Sequence, residues 1–450
     1  MKWQHCISIE TKIKIPLLKL SAIVVLFASV QWAAADSGPT TTVPSVTGAT
    51  LYTGTMNAGC SYPRVVRLQY SGAANGRLLA TFENFQSKNF GIYESDDDGY
   101  TWTSSPIGIC SEQKNGSGWS FKWEPFLFEL PRALGNLAAG TLILVGNSIG
   151  SPMQEQIELY YSTDQGHTWH YRSTVDTQGP GSSIGIWEPN FQIAANGNLV
   201  CYYSDERYQA SGYNQLIGER QSTDGGLTWG AEQYVVAISD GVQRPGMPVT
   251  TKLPNGQYVM SFECVNLGNG NPVHIKFSSD GINWGSGASD YGTGIQTSSG
   301  SYIGSDPYIC WSPIGGVNGT LIVSAQFLVN STNSDRELFI NTSLGQGNWT
   351  CIPAPVQWQG GNDHSGYSQT LIPSLDGASI INIADSYIGN GLNSMLYGRQ
   401  KLVLPGITYV VVNQNSGCAL DIPAGNTHPG TGLDQWTTNG LPPQNWTFNN

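Results

Sequence analysis

The segment Ser222-Thr223-Asp224-Gly225-Gly226-Leu227-Thr228-Trp229 decides the fold because the chain repeats it. SDDDGYTW begins at Ser95, STDQGHTW at Ser162 and SSDGINW at Ser278, so successive starts lie 67, 60 and 56 residues apart. Each copy follows an apolar stretch, and TSLGQGNWT from Thr342 reads as a fifth, worn copy. The chain is therefore an array of similar units.

Aligning the units on these phrases exposes what precedes them. Each opens with a segment carrying Pro or an aromatic residue: SYPRVVRL from Ser61, KWEPFLFEL from Lys122, IWEPNFQI from Ile186, RPGMPVTTKL from Arg244, SDPYICW from Ser305 and GYSQTLIPSL from Gly366. Turn dipeptides such as Asn75-Gly76, Asn196-Gly197, Asn255-Gly256 and Asp376-Gly377 then separate alternating apolar runs, the pattern of a β-hairpin. A third strand leads into the repeated phrase, whose Asp and Gly make a turn and whose Thr-Trp starts a fourth. Six four-stranded units predict an all-β, six-bladed β-propeller, with residues near Leu51–Thr55 closing the ring.

Composition agrees, since 55 glycines, 21 tyrosines and a 12% charged fraction suit short strands and turns. Residues 1–35 read as an export signal: Lys12, Lys14 and Lys19 precede the apolar run Ala22–Val30, and Ala33 and Ala35 offer a cleavage site before Asp36. That run is too short for a membrane span. The expectation is a secreted, extracellular, monomeric protein with a linker at 36–49 and the propeller at 50–403.

Without the leader, 16 basic and 31 acidic residues remain, which argues against nucleic acid as a partner. An oxidising compartment favours disulfides, and sequence proximity pairs Cys60 with Cys110, Cys310 with Cys351 and Cys201 with Cys264. Sequons at Asn115, Asn318, Asn330, Asn341, Asn348 and Asn445 fit a glycoprotein. The histidines lack metal-ligand spacing, and neither a phosphate-binding loop nor a G-x-S-x-G elbow occurs, so no metal and no cofactor is expected.

Blade topology supplies geometry. Strand-one starts and strand-two ends share one face, and the repeated phrases lie on the other. The first face gathers Arg64, Glu124, Glu188, Arg244, Asp306 and Tyr367 from strand-one starts, joined by Glu83, Asn147, Asp205, Glu206, Glu263, Gln326 and Asp385 from strand-two ends. Glu188 lies eight residues before its hairpin Asn196 and Glu263 seven after Gly256, so both reach similar depth on adjacent blades. A carboxylate pair beside Trp123 and Trp187 suits sugar hydrolysis, in which one carboxyl donates a proton and the other attacks or activates water. Aromatic faces support sugar rings.

The four phrases resemble the Asp-box repeat of the sialidase-like propellers. The IWEP segment at Glu188, the SFE segment at Glu263 and HSGYS from His364 resemble glycoside hydrolase family 93, the exo-1,5-α-L-arabinanases, over about residues 50–403. That resemblance implies a retaining enzyme that releases arabinobiose from the non-reducing end of linear arabinan, the side chains of pectin. Carried over, Glu188 is the nucleophile, Glu263 the general acid/base and Tyr367 a hydrogen-bonding neighbour of the nucleophile. The channel-mouth face itself offers Arg64, Trp123, Glu124, Trp187, Asp205, Arg244, Asp306 and His364 as substrate contacts.

Two alternatives stand beside this reading. A sialidase shares the Asp-box, and its Tyr-Ser-x-Leu segment is matched approximately by Tyr367-Ser368-Gln369-Thr370-Leu371, but it needs three arginines, for which Arg64, Arg244 and Arg399 are the candidates. A non-catalytic glycan-binding propeller is the other. From residue 404 the composition changes: TYVVVNQNSGCALDI, DQWTTNG and Gln444-Asn445-Trp446 resemble one repeat of a ricin-type β-trefoil lectin, an incomplete β-trefoil-like tail. Asp421, Trp436, Asn439 and Gln444 match its sugar-site pattern, while Thr438 replaces the usual cysteine partner of Cys418.

Overall fold

The computed structural model describes residues 46–402 apart from 56–58, 151–153, 179–183 and 334, together with short segments nearer each end. The described residues contain no α-helix. Six four-stranded antiparallel sheets follow one another as blades. Their innermost strands are Cys60–Arg67, Ser120–Glu129, Ile186–Ile193, Arg244–Lys252, Tyr308–Ser312 and Thr370–Pro373, in blades 1 to 6.

Ring closure comes from the N-terminal side. Val46–Thr53 pairs antiparallel with Leu392–Lys401 as the outer strand of blade 6. The ring therefore takes in the end of the segment read as a linker, because the last blade otherwise presents an unpaired edge to solvent. Second strands are almost wholly apolar or small and buried, as in Leu199–Asp205. Hydrophobic clusters sit between adjacent blades, for example Ile157, Leu159, Phe191 and Tyr203 between blades 2 and 3.

The repeated phrases make the turns between third and fourth strands. In blade 3, Asp224 accepts hydrogen bonds from Ser222 Oγ at 2.8 Å, Thr228 N at 3.0 Å and Thr228 Oγ1 at 2.6 Å, and Gly226 N donates to Ser222 Oγ at 2.7 Å. Blades 1, 2 and 4 repeat the pattern around Asp97, Asp164 and Asp280. The worn copy keeps its shape differently: Asn341 Oδ1 accepts from Ser343 N and Gly345 N, so the amide oxygen does the work of the missing carboxylate. Some turns are tied to a neighbour's inner hairpin: Ala195 N of blade 3 donates to Asp280 O of blade 4 at 2.8 Å, and Leu375 N of blade 6 to Asp98 Oδ1 of blade 1 at 3.1 Å. The phrases lie on the hairpin-turn face, as the topology requires.

The expected disulfides are absent. Cys60, Cys110, Cys201, Cys264, Cys310 and Cys351 are free thiols. Cys60 and Cys110, like Cys310 and Cys351, occupy the first and fourth strands of one blade, a separation of about 14 Å at ~4.8 Å per strand. A disulfide needs Cα atoms within about 7 Å. Cys201 and Cys264 lie on the second strands of different blades.

Most of the leader lies outside the described residues. In the tail, Thr408–Val412, Ala419–Asp421, Asp434–Trp436 and Trp446–Thr447 form short paired strands, flanked by Phe27–Gln31 and Cys6–Ile7.

Candidate active site

Six inner strands carry one shared distortion near their starts. Tyr62, Glu124, Glu188, Met247, Asp306 and Ser368 all adopt left-handed backbone conformations, with φ of 53°, 59°, 61°, 56°, 53° and 48°. In blades 1 to 4 the ladder register breaks at that point, the mark of a β-bulge. Proline follows the bulged residue in five blades, at 63, 125, 189, 248 and 307. Proline has no N–H, so the interrupted ladder leaves no orphan donor there. Left-handed backbone costs a non-glycine residue of order 1–3 kcal/mol and gathers at functional sites.

The bulges turn backbone N–H groups toward neighbouring acids. Glu83 Oε1 accepts from Glu124 N at 2.7 Å, Glu124 Oε2 from Glu188 N at 2.6 Å, Glu188 Oε2 from Met247 N at 2.8 Å and Glu263 Oε2 from Asp306 N at 3.2 Å. Carboxyl groups thus hand on from blade to blade. Glu83, Asn147, Ser204 and Glu263 hold equivalent second-strand positions, each paired with the residue just before a bulge.

Glu188 and Glu263 come within electrostatic reach of each other in this ring. Ser204 Oγ also donates to Glu188 Oε2. A Cβ on Gly246 would collide with the Gln215 amide and stand 3.4 Å from Glu188 Oε2, and Gly246 is the ladder partner of Glu263. A side chain at position 246 would therefore crowd the space between the two acids. Glu188 is half-buried at the channel mouth, whereas Glu263 is 8% exposed.

Burial dominates the protonation of the ring. It lifts Glu263 to about 7, with the Glu188 charge adding to the rise and the Asp306 N–H and Arg244 opposing it. Glu188 is also raised by burial, but Ser204, the Met247 N–H and Arg244 all favour its charged form. Glu83 and Glu155 reach about 8, and Glu124, Asp306 and Asp385 lie well above the carboxylate range, each chiefly through burial. So many acids in one dry ring cannot all ionise together.

The other expected residues divide. Arg64, 2% exposed, donates to Ser368 O and Ser368 Oγ at 2.9 Å and stacks 3.8 Å from the Tyr62 ring, a counter-charge beneath the acids. Its charge eases the ionisation of Glu83 and Asp306. Tyr367 lies 6.2 Å from Tyr62 and 5.8 Å from His364, ring to ring, and burial together with Asp306, Glu188, Glu124 and Glu263 raises its hydroxyl pKa. Trp123 and Trp187 stand 6.0 Å apart and half-buried, a continuous aromatic surface. Glu206 fixes one end of it, accepting from Trp187 Nε1 at 3.0 Å and pairing with Arg244. Arg244 also donates to Gln215 Oε1 at 2.7 Å.

Asp205 is not part of this group. It is fully buried and bonded to Arg207, in a cluster with Asp176 and Glu232. The strand alternates, so the equivalent of Glu83 and Glu263 in blade 3 is Ser204, and the neighbouring side chain faces blade 2. Ser204 was readable by aligning strand-two ends on the residue before each bulge. Gln215 arrives from a connecting loop, and no sequence signal marks it.

Arg399 lies elsewhere too, bonded to Asp98 O and Oδ2 at 2.6 Å on the Asp-box face. Arg64, Arg244 and Arg399 therefore do not converge, as a sialidase would require. In the tail, Asp421 is buried, Gln444 donates to Thr437 O at 3.0 Å, and Asn439 and the Trp436 side chain lie outside the described residues.

A solved α-L-arabinanase from Penicillium chrysogenum, complexed with arabinobiose, matches with 32% identity over 80% of this chain and 98% of that one, at a TM-score of 0.68. The chain belongs to glycoside hydrolase family 93. The α-L-arabinofuranosidase of this family from Fusarium graminearum, also solved with arabinobiose, matches with 26% identity over 79% of this chain and 98% of that one, at a TM-score of 0.67. This family 93 protein is thus a glycoside hydrolase, with the six-bladed fold of its relatives. Residues 399–450 match the family described as ricin-type beta-trefoil lectin domain-like. No curated protein matches the chain.

Proposed function

We propose that this family 93 hydrolase is a secreted enzyme that cleaves linear α-1,5-L-arabinan from the non-reducing end and releases arabinobiose with retention of configuration. The observation that carries the reading is the Glu188–Gly246–Glu263 arrangement, in which burial raises both carboxyl groups, Glu263 to about 7, while the Ser204 hydroxyl, the Met247 N–H and Arg244 oppose the rise at Glu188. The two hydrogen bonds donated to Glu188 suit the group that must carry charge as nucleophile, and the raised Glu263 suits the proton donor. Arabinobiose bound in the Penicillium and Fusarium structures supports the substrate class.

In this mechanism Glu263 donates its proton to the glycosidic oxygen while the Glu188 carboxylate attacks the anomeric carbon, so the C–O bond breaks as a glycosyl ester forms. Glu263, now a carboxylate, takes a proton from water as that water's oxygen displaces Glu188. Trp123 and Trp187 carry the sugar faces. Tyr367, Glu124, Asp306, Arg64, Arg244 and His364 complete the pocket. Residues 404–450 are one incomplete ricin-type repeat appended to the propeller, and the mature chain is a monomer starting near Asp36.

Incubation with linear arabinan tests the reading. Arabinobiose should be the first product, with its anomeric configuration retained by NMR. Monosaccharide alone, mixed oligomers or inversion would overturn it.

A further inference from the structure

A second cavity, of about 700 Å³, opens on the face opposite the acid ring. It lies where the inner strands of blades 1 to 4 end, and its walls include Tyr70, Arg132, Gln192, Lys252 and Tyr258. That volume falls in the range of small-ligand pockets. Its chemistry is the reverse of the catalytic mouth.

Arg132 and Lys252 are both exposed. Among the described residues neither forms an ion pair with a carboxylate: Arg132 donates to Gly197 O, and Lys252 Nζ stands 5.1 Å from the Tyr258 ring. The nearby acid, Glu129, is occupied by the Gln69 and Tyr70 backbone N–H groups and Ser71 Oγ. The cavity thus presents two cations that no described carboxylate neutralises, in a chain of net charge −12. A further observation is independent of charge. Tyr258 is 1% exposed, yet its buried hydroxyl has no hydrogen-bond partner. A buried polar atom without a partner forgoes the hydrogen bond it would make in water, and a ligand or water reaching it restores one. Tyr70, 47% exposed, adds an aromatic face on which a sugar ring can rest.

We propose that this far-face cavity is a binding site for an acidic oligosaccharide, with a hexuronate carboxylate between Arg132 and Lys252, a ring on Tyr70 and a hydroxyl at Tyr258. The site is separate from the catalytic ring and does not depend on which glycan that ring cleaves. It would anchor the enzyme to an anionic polysaccharide while the opposite face works.

Calorimetric titration with trigalacturonic acid, its neutral methyl ester and inorganic phosphate tests the proposal on the full chain. The acid should bind, and more weakly as salt is raised. R132A, K252A and the milder Y258F should each weaken it at least about tenfold while leaving glycosidase turnover unchanged, which reports an intact fold. No binding of the acid, equal binding of the methyl ester, phosphate binding as tight as the saccharide, or full affinity in both R132A and K252A would overturn it.

Discussion

Ser204 has no chemistry of its own in the proposed reaction, yet it shares Glu188 Oε2 with the Met247 N–H. A hydrogen bond to a charged group contributes about 1.5–3 kcal/mol. S204A should therefore lower kcat about 10- to 100-fold with a smaller change in KM, and steady-state kinetics on linear arabinan measure it. Loss of KM alone would mean that Ser204 serves binding. Glu263 gives a pH signature. As proton donor it must be protonated, and with its pKa at about 7 the rate should fall as pH rises through that value. E263Q should lose about 10²–10⁴-fold in activity and lose this alkaline limb as well. An alkaline limb unchanged in E263Q would assign it to another group.

At the scale of single elements, the Asp-box turns and the inner bulges do opposite work. Asp224 spends both carboxylate oxygens on Ser222, Leu227 and Thr228, and its pKa drops to about 2 under the balance of those bonds against partial burial. D224A should cost about 1–3 kcal/mol and lower Tm by a few degrees without altering kcat, since the turn lies on the face away from Glu188. Thermal melts paired with assays separate the two effects. A fall in kcat at unchanged Tm would show that the turn communicates with the site. The bulges store strain instead of relieving it, and they aim N–H groups at Glu83, Glu124, Glu188 and Glu263.

For the whole molecule, acid burial sets the pH dependence of stability. Glu83 and Glu155 titrate at about 8 when folded against 4.5 when exposed, so the folded state binds more protons between those values. Their contribution is complete below about 4.5 and is lost as pH rises through about 8. Asp224 and Asp280 work in reverse: folded values of about 2 against 3.8 give stability that is present above 3.8 and lost as pH falls through about 2. Scanning melts from pH 2 to 9 should give the highest Tm near pH 4–5, declining on both sides. A Tm that rises from pH 5 to 8 would contradict the buried-acid ring.

How legible was all this in one dimension? Turn chemistry and period-two patterning are local, so the repeated phrases and Asn-Gly hairpins suffice to count blades, assign faces and bring Glu188 and Glu263 to one mouth. The closing strand was legible to within a few residues, since an unpaired blade edge demands one. Tertiary structure decided what depends on register and on approach between blades. A one-residue step exchanged Asp205 for Ser204, because side chains alternate along a strand. Strand order kept the cysteines apart. Gln215 and Glu206 met Arg244 only once the blades had closed. The repeat fixes where every blade turns, while the identity of the groups facing the sugar rests on contacts between residues far apart in the chain.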